Sequence, residues 1–466
     1  MYGGHLVAKY LKEAEGTTTV FGLVGGHIDR ILDGFLEHGL RFIDVRHEQA
    51  AVMMAHAWAV VSGGPAVCLV TAGPGFTNAI SGIVNAYFDN APVVVVTGTA
   101  PVRDRDKGAL QDIDQSEMVR GTVKWTGFCH DAKRIPEYLS RAVRHAVSGR
   151  PGPVLLELPP DILNIRVNEA EAPYPNTGGV QRRCSPDRAG VEAAAALING
   201  AERPVLMGGS GLACSDCDQA LARFVDTTGM PFAFLARGRG AIDECHPLSL
   251  WNGGHAALVT ALTQADLVVA LGVRFNVSIA LGQMFPQAKL VQVDIDPTEI
   301  DRNRKSDVGL VGDVGLALEE INKSLEPRDR SNWVKSLRDV YLPLLEAEKA
   351  QLEEPTDPIH PARLVEAVRR TTNDDAIYVA DGGDATYFAL VGLRARRKNF
   401  LLGSGGTLFG CLGSGVPFGI GARLARPDKT VVVISGDGSL GFNLMEFDTA
   451  VRHGVPFVCV TVNDQA

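Results

Sequence analysis

The sequence predicts an α/β protein of three doubly wound parallel-sheet domains, the last of them incomplete. At 466 residues the chain is too long for a single core. Short, wholly apolar runs such as residues 93–97 and 430–434 recur along it, and each reads as a strand buried on both faces. Between those runs stand glycine loops that open onto helical patterns, the alternation of a parallel sheet rather than of hairpins.

Residues 1–165 form the first expected domain. Residues 18–23 read as a short strand, followed by Val24-Gly25-Gly26-His27 and a helix over 28–37. Residues 41–45 are a strand ending in Arg46-His47-Glu48, and 49–61 are a helix with alanine and methionine on its inner face. A strand at 66–70 leads into a glycine loop, Thr71 to Asn78, which opens a helix over 79–90. Glycines directly after a strand let the backbone approach a ligand closely, at the sheet edge where open α/β folds bind one.

Residues 159–183 are rich in Pro, Asn and Gly and read as a linker. The central domain, 184–325, repeats the alternation with strands at 204–207, 267–271 and 290–293, the last capped by Asp294-Ile-Asp296. Gly208-Gly-Ser-Gly211 has the style of a nucleotide loop, but glycines after a strand are also ordinary packing devices. It does not match Gly-x-Gly-x-x-Gly, so a nucleotide-binding dehydrogenase is not supported. Charged helical residues 313–353 lead to a second linker at 353–358.

The third domain, 356–466, carries the most specific pattern. Strand 430–434 runs into Gly436-Asp437-Gly438-Ser439. A helix is expected over 443–453, with Leu444, Phe447 and Val451 on one face, and a strand over 455–462 ends in Asn463-Asp464. Adjacent strands then bring Asp437 and Asp464 to one edge. Two hard oxygen ligands beside a glycine turn rich in N–H groups suit Mg²⁺ carrying a diphosphate. A lone Gly-Asp-Gly would be weak evidence; the second pair, one helix and one strand later, makes the pattern specific. Too few residues follow strand 455–462 to cover it, so its edge and Asp464 are expected to lie exposed.

Composition narrows the function classes. The chain is 45% hydrophobic and 21% charged, which is globular. A net charge of −9 leaves no basic footprint for nucleic acid or anionic lipid. No apolar run is long enough to span a bilayer. His5, Lys9, Lys12 and Glu13 rule out a signal peptide at the start, and the scattered cysteines suit a reducing, cytoplasmic setting. Cys214-Ser-Asp-Cys217 has metal or redox spacing but no second pair, so an exposed loop with two unlinked thiols is the better reading.

The Gly436–Asp464 pattern resembles the thiamine diphosphate motif, with Asp464 where the second Asn usually stands. Phe42-Ile-Asp-Val-Arg-His-Glu48 extends the match, as do the glycine loop with Tyr87-Phe-Asp-Asn-Ala-Pro92 and Leu110-Gln111-Asp-Ile-Asp-Gln115. Together with the middle unit these resemble the thiamine-diphosphate enzymes of the acetolactate synthase group across essentially the whole chain. Gly25-Gly26-His27-Ile-Asp29 and Glu446-Phe-Asp-Thr449 are most similar to benzaldehyde lyase and related acetolactate-synthase-like proteins. The resemblance implies a pyrimidine-binding domain, a central domain and a diphosphate-binding domain. It also implies a homodimer or homotetramer whose active sites lie between the first domain of one subunit and the third of another. Members of the group continue past the last residue of this chain, which therefore reads as a fragment.

The resemblance also assigns residues. Glu48 matches the glutamate that hydrogen-bonds the cofactor's aminopyrimidine ring; a carboxyl group in an apolar cleft can share a proton near neutral pH. Gln111 and His27 match polar positions facing the reacting carbon, although His27 also reads as an ordinary loop histidine. Leu412 aligns with the apolar wedge that bends the cofactor, and Gly410 with the backbone position that receives its 4′-amino group. Gly436, Gly438 and Ser439 would meet the diphosphate, with Tyr387 on a second diphosphate loop after Asp384. Asn78 would hold the pyrimidine, or else act as a helix N-cap. Asp437, Asp464 and the Ala466 carbonyl are the expected Mg²⁺ ligands.

One departure stands out. The group's Arg-Phe-Asp-Asp-Arg run reads Arg274-Phe275-Asn276-Val277-Ser278 here, which argues against FAD and against carboxylate recognition by the second arginine. The expected activity is decarboxylation of a 2-oxo acid followed by carboligation. Cleavage of a 2-hydroxy ketone or a 2-hydroxyacyl-CoA to an aldehyde is the alternative. A non-catalytic cofactor-binding protein is the alternative from another class.

Overall fold

The computed structural model describes residues 1–175, 183–353, 356–403 and 408–464. It contains three sheets, as the sequence predicts. The first comprises β1 (Thr19–Gly22), β2 (Arg41–Asp44), β3 (Ala66–Val70), β4 (Val93–Gly98), β5 (Thr126–Phe128) and β6 (Val154–Leu158), in the order β2-β1-β3-β4-β6-β5. The second comprises β7 (Pro204–Gly208), β8 (Phe232–Phe234), β9 (Leu267–Leu271), β10 (Lys289–Asp294) and β11 (Val308–Val311), in the order β11-β10-β9-β7-β8. The third comprises β12 (Ile377–Asp381), β13 (Leu401–Gly403), β14 (Val431–Gly436) and β15 (Val458–Val462), in the order β13-β12-β14-β15. Every pairing whose register is described is parallel. β3, β4, β6, β7, β9 and β12 are buried at every residue, because helices cover both faces. Strand order reverses at β1/β3, at β7/β9 and at β12/β14. Such reversals open crevices at the carboxyl ends of the strands.

The chain divides into two compact units: Met1–Arg182 with Ile377–Thr386 and Leu402–Ala466, and Arg183–Ala376 with Tyr387–Leu401. In the first unit, helix Gly415–Ala425 lies directly on helix Glu48–Ser62. The approach requires glycine at 421, where a Cβ would stand 2.3 Å from the Met54 carbonyl oxygen. Buried His56 packs edge-on against Phe418 across this seam, with Nε2 2.8 Å from Asp89.

In the second unit the glycines of the Gly208–Gly211 loop serve internal packing. A Cβ on Gly209 would lie 2.3 Å from the Gly272 oxygen, and one on Gly211 would lie 2.6 Å from the Gly272 Cα. Cys214 and Cys217 are free, as expected, but they do not lie in an exposed loop: Cys214 ends helix Ser210–Cys214 and Cys217 is buried. Asn276 caps the short turn Val277–Gly282 by accepting from Ser278 N–H. Arg239 forms a buried pair with Glu244 at 2.6 Å and donates to the carbonyls of Leu390 and Leu393, which ties residues 387–401 to this unit.

Several expected boundaries move. The helix after β3 starts at Pro74, five residues before the expected start at 79, because left-handed Gly73 (φ +61°) turns the chain and proline suits the first helical position. Asn78 therefore lies inside this helix and is not its N-cap. The expected helix over 443–453 is instead Asp437–Phe442 and Glu446–His453, separated by a turn. The second helix buries Glu446, Thr449 and Ala450, while Val451 is 80% exposed. Its apolar face is thus not its inner face in the single chain. β15 begins at Val458, lies at the sheet edge and has no buried residue. The expected linker 159–183 starts as structure. Ile162, Leu163, Val167 and Ala172 are buried, and Val167 N–H donates to the Met1 carbonyl.

Candidate functional site

At the first sheet's reversal, β1, β2 and β3 deliver the segments 24–27, 46–48 and 71–75 to one edge. Glu48 opens helix Glu48–Ser62, where free N–H groups and the helix dipole favour an anion. It is only 6% exposed. Asn78 Nδ2 donates to Glu48 Oε2 at 3.0 Å. Oε1 faces Gly75, where a Cβ would lie 3.3 Å away. The neighbouring Cys68 thiol is pushed up by burial and then by the Glu48 charge. This carboxyl group is enclosed, oriented by one amide and open to one further partner, the equipment of a proton carrier.

The other first-sheet candidates border the same glycine loop. His27 Nδ1 stands 3.4 Å from the Thr71 hydroxyl. Gly98 makes room for the ring, since a Cβ there would lie 2.5 Å from the His27 Cβ. His27 also lines a cleft of ≈ 590 Å³ with Val24, Asp29, Arg30 and Leu163. Gln111, in the left-handed region at φ +61°, packs its Cβ where a side chain on Gly73 would stand. Sequence reasoning missed the residues that hold the loop. Buried Gln115 accepts from Gly73 N–H at 3.1 Å and donates to the Gly98 carbonyl at 2.9 Å and to Glu157 at 3.2 Å. Gln115 stands in a quoted motif, but nothing in a single sequence separates a buried glutamine from an exposed one.

In the third sheet Gly436 at the end of β14 pairs with Val462 at the end of β15, so Asp437 and Asp464 both follow the last paired positions at one edge. Asp437 is half-exposed and accepts from Gly438 N–H at 2.7 Å, and Asp464 is exposed. A Cβ at Gly438, next to Asp437, would meet nothing within 4 Å, so the backbone there faces open space; the same holds at Gly383 and Gly410. Among the described residues no three His, Cys, Asp or Glu side chains group as a metal site. A cation between the two aspartates would therefore need phosphate oxygens to complete its shell, and the residues present fit a Mg²⁺–diphosphate group in that way. Ala466 lies outside the described residues.

The turn carrying Leu412 is clamped by three buried polar side chains. Ser439, expected at the diphosphate, turns its hydroxyl to Gly413 N–H at 2.9 Å. Asn443 donates to the Gly413 carbonyl at 2.7 Å, and Asp381 accepts from Gly415 N–H at 2.8 Å. Left-handed Gly410 (φ +63°) and Gly413 (φ +82°) present Leu412, which is 39% exposed. Gln49 Nε2 lies 3.6 Å from Cys411 Sγ, so the residues next to Glu48 and next to Leu412 touch within one unit. Asn443 and Asp381 were not legible as site residues. Tyr387 falls in the second unit, 60% exposed with its ring edge-on to Phe388.

Comparison with known families matches three consecutive models. These are the thiamine pyrophosphate enzyme N-terminal TPP-binding domain over residues 1–118, the central domain over 191–321 and the C-terminal TPP-binding domain over 381–466. Among curated relatives, the acetolactate synthase large subunit IlvG of Mycobacterium tuberculosis is 33% identical over 468 residues, covering 100% of this chain and 83% of the relative. The acetolactate synthase isozyme 3 large subunit of Escherichia coli is 32% identical over 477 residues, covering 99% and 82%. The probable acetolactate synthase large subunit of Methanocaldococcus jannaschii is 31% identical over 484 residues, covering 99% and 80%.

Proposed function

The chain belongs to the thiamine pyrophosphate enzymes of the acetolactate synthase family, and from that membership we propose that it decarboxylates a 2-oxo acid and joins the acyl unit to a second carbonyl compound. The observation that carries this reading is buried Glu48, oriented by Asn78 beside the β3 glycine loop. Asp437, Asp464 and the backbone of Gly436 and Gly438 would hold a Mg²⁺–diphosphate group, and Gly410 and Leu412 the middle of the cofactor. When bound, thiamine diphosphate supplies a carbon nucleophile and an electron sink.

Glu48 then holds or releases one proton through Oε1, while the Asn78 amide keeps Oε2 engaged. We assign His27 and Gln111 as donors to substrate oxygen, a role supported by their shared border on the glycine loop and by the cleft beside His27. The expected modules are 1–165, 184–325 and 356–466. Exposed Phe442, Met445 and Val451 support a homo-oligomer. Eight free cysteines support a cytoplasmic setting; among the described residues no helix is long and apolar enough to cross a membrane.

The relatives' names favour the synthase over a 2-hydroxy ketone or 2-hydroxyacyl-CoA lyase. Assays with pyruvate, benzoin and a 2-hydroxyacyl-CoA, each with thiamine diphosphate and Mg²⁺, test this. Acetolactate and CO₂ from pyruvate are expected. Cleavage of benzoin or of the acyl-CoA without turnover of pyruvate would replace the synthase by a lyase. No turnover of any would leave a cofactor-binding protein.

A further inference from the structure

Helix Glu446–His453 begins with a carboxylate that the proposed reaction does not use. Glu446 is 1% exposed. One oxygen, Oε1, accepts from two successive peptide N–H groups, those of Arg46 at 2.9 Å and His47 at 3.1 Å. The other, Oε2, accepts from the Thr449 hydroxyl at 2.6 Å. Both oxygens are therefore fixed, and burial raises the pKa of the group against those three bonds. Arg46 and His47 are the two residues directly before Glu48.

The same turn also reaches the Leu412 turn of the same chain. Glu446 N–H donates to the Asn443 carbonyl at 3.1 Å, and the Asn443 side chain holds the Leu412 turn through Gly413. One short stretch thus grips the segment before Glu48 with one side chain and the Leu412 turn with another. The ion pairs nearby, Arg46–Asp448 and Arg452–Asp44, are partly exposed and do not touch the peptide groups of Arg46 and His47.

We propose that Glu446 is a positioning residue for Glu48: it pins the two peptide groups before Glu48 and so sets where that carboxylate stands. The proposal rests on the reading of Glu48 as the proton carrier. Glu446→Gln keeps an oxygen for both N–H groups, whereas Glu446→Ala removes it.

In the protein without cofactor, amide exchange at Arg46 and His47 should quicken in the alanine variant and stay near wild type in the glutamine variant. With thiamine diphosphate and Mg²⁺, cofactor affinity should be kept in both. Exchange of the cofactor C2 proton should slow about 10–100-fold in the alanine variant alone, the scale of a misplaced catalytic group. In a Glu48→Gln background, Glu446→Ala should slow it no further, because the effect passes through Glu48. Additive slowing, equal slowing in both variants, or lost cofactor affinity would each overturn the proposal. Unchanged C2 exchange in Glu48→Gln alone would overturn the reading of Glu48, and this proposal with it. Slow exchange there beside an unaffected Glu446→Ala would overturn only the proposal. Should Glu446→Ala not fold, Thr449→Val removes only the hydroxyl that fixes Oε2. Slowed C2 exchange with kept affinity then supports the role, and unchanged exchange overturns it.

Discussion

Glu48→Gln keeps the shape of the side chain and the oxygen that meets Asn78, but it cannot pass a proton as a carboxyl group does. Cofactor affinity should persist while C2-proton exchange slows about 10²–10⁴-fold, which quenched exchange in deuterated buffer would measure. Asp437→Ala should behave differently. On the proposed reading its carboxylate would share a cation with Asp464 against a polyanionic ligand, so the expected loss is Mg²⁺-dependent cofactor binding itself; calorimetric titration with and without chelator checks it. Asp294, at the end of β10, provides a pH test in the second unit. Burial is the main force pushing its carboxyl up, to about 6; Glu299 and Asp296 add to this, while the Asp296 N–H and Arg274 oppose it. From about pH 4, where an unfolded aspartate ionises, up to about 6, the folded state holds a proton that the unfolded chain has released. Stability therefore falls as pH rises through that window. Asp294→Asn should remove this slope in denaturant titrations, so its advantage over wild type grows across the window and then levels off.

At the scale of elements, the seam between helices Glu48–Ser62 and Gly415–Ala425 holds the segment carrying Glu48 beside the segment carrying Leu412 within one unit. Its closeness depends on Gly421, because any side chain there drives into the Met54 carbonyl. Gly421→Val should cost about 1–3 kcal/mol, the usual range for overpacking, and thermal unfolding would show it as a lowered midpoint. The seam was not legible beforehand. Helical periodicity says which face is apolar, not which neighbour it meets. Helix Glu446–His453 makes the same point in reverse. Its pattern reads as an apolar face turned inward, yet the residues it buries are Glu446, Thr449 and Ala450, because the backbone ahead of Glu48 supplies N–H partners that the sequence does not display.

At the scale of the whole molecule, Phe442, Met445 and Val451 stand exposed on helices Asp437–Phe442 and Glu446–His453 and the turn between them, near in sequence to the unburied edge strand β15. Apolar surface and a free strand edge favour covering by another chain. The protein should sediment as a dimer or larger at micromolar concentration. Met445→Glu combined with Val451→Glu should shift it toward monomer and lower activity. A monodisperse, active monomer would contradict both expectations.

By itself the sequence determined the local things: apolar runs that must be buried parallel strands, the glycine turns that end them, and the acids and amides placed at strand ends. Those depend on neighbours a few residues away, so Glu48, Asp437 and Asp464 could be named from spacing and resemblance. Only the tertiary structure decided what lies across gaps of tens to hundreds of residues. It alone showed that residues 387–401 pack with the central unit, that Gln115 holds the glycine loop, that Ser439 and Asn443 clamp the Leu412 turn, and that Glu446 grips the peptide groups before Glu48. The physical reason is common to all four. A buried polar side chain or an ordered segment finds its partner wherever the fold leaves an unpaired backbone group, and backbone groups carry no residue identity for a sequence to reveal.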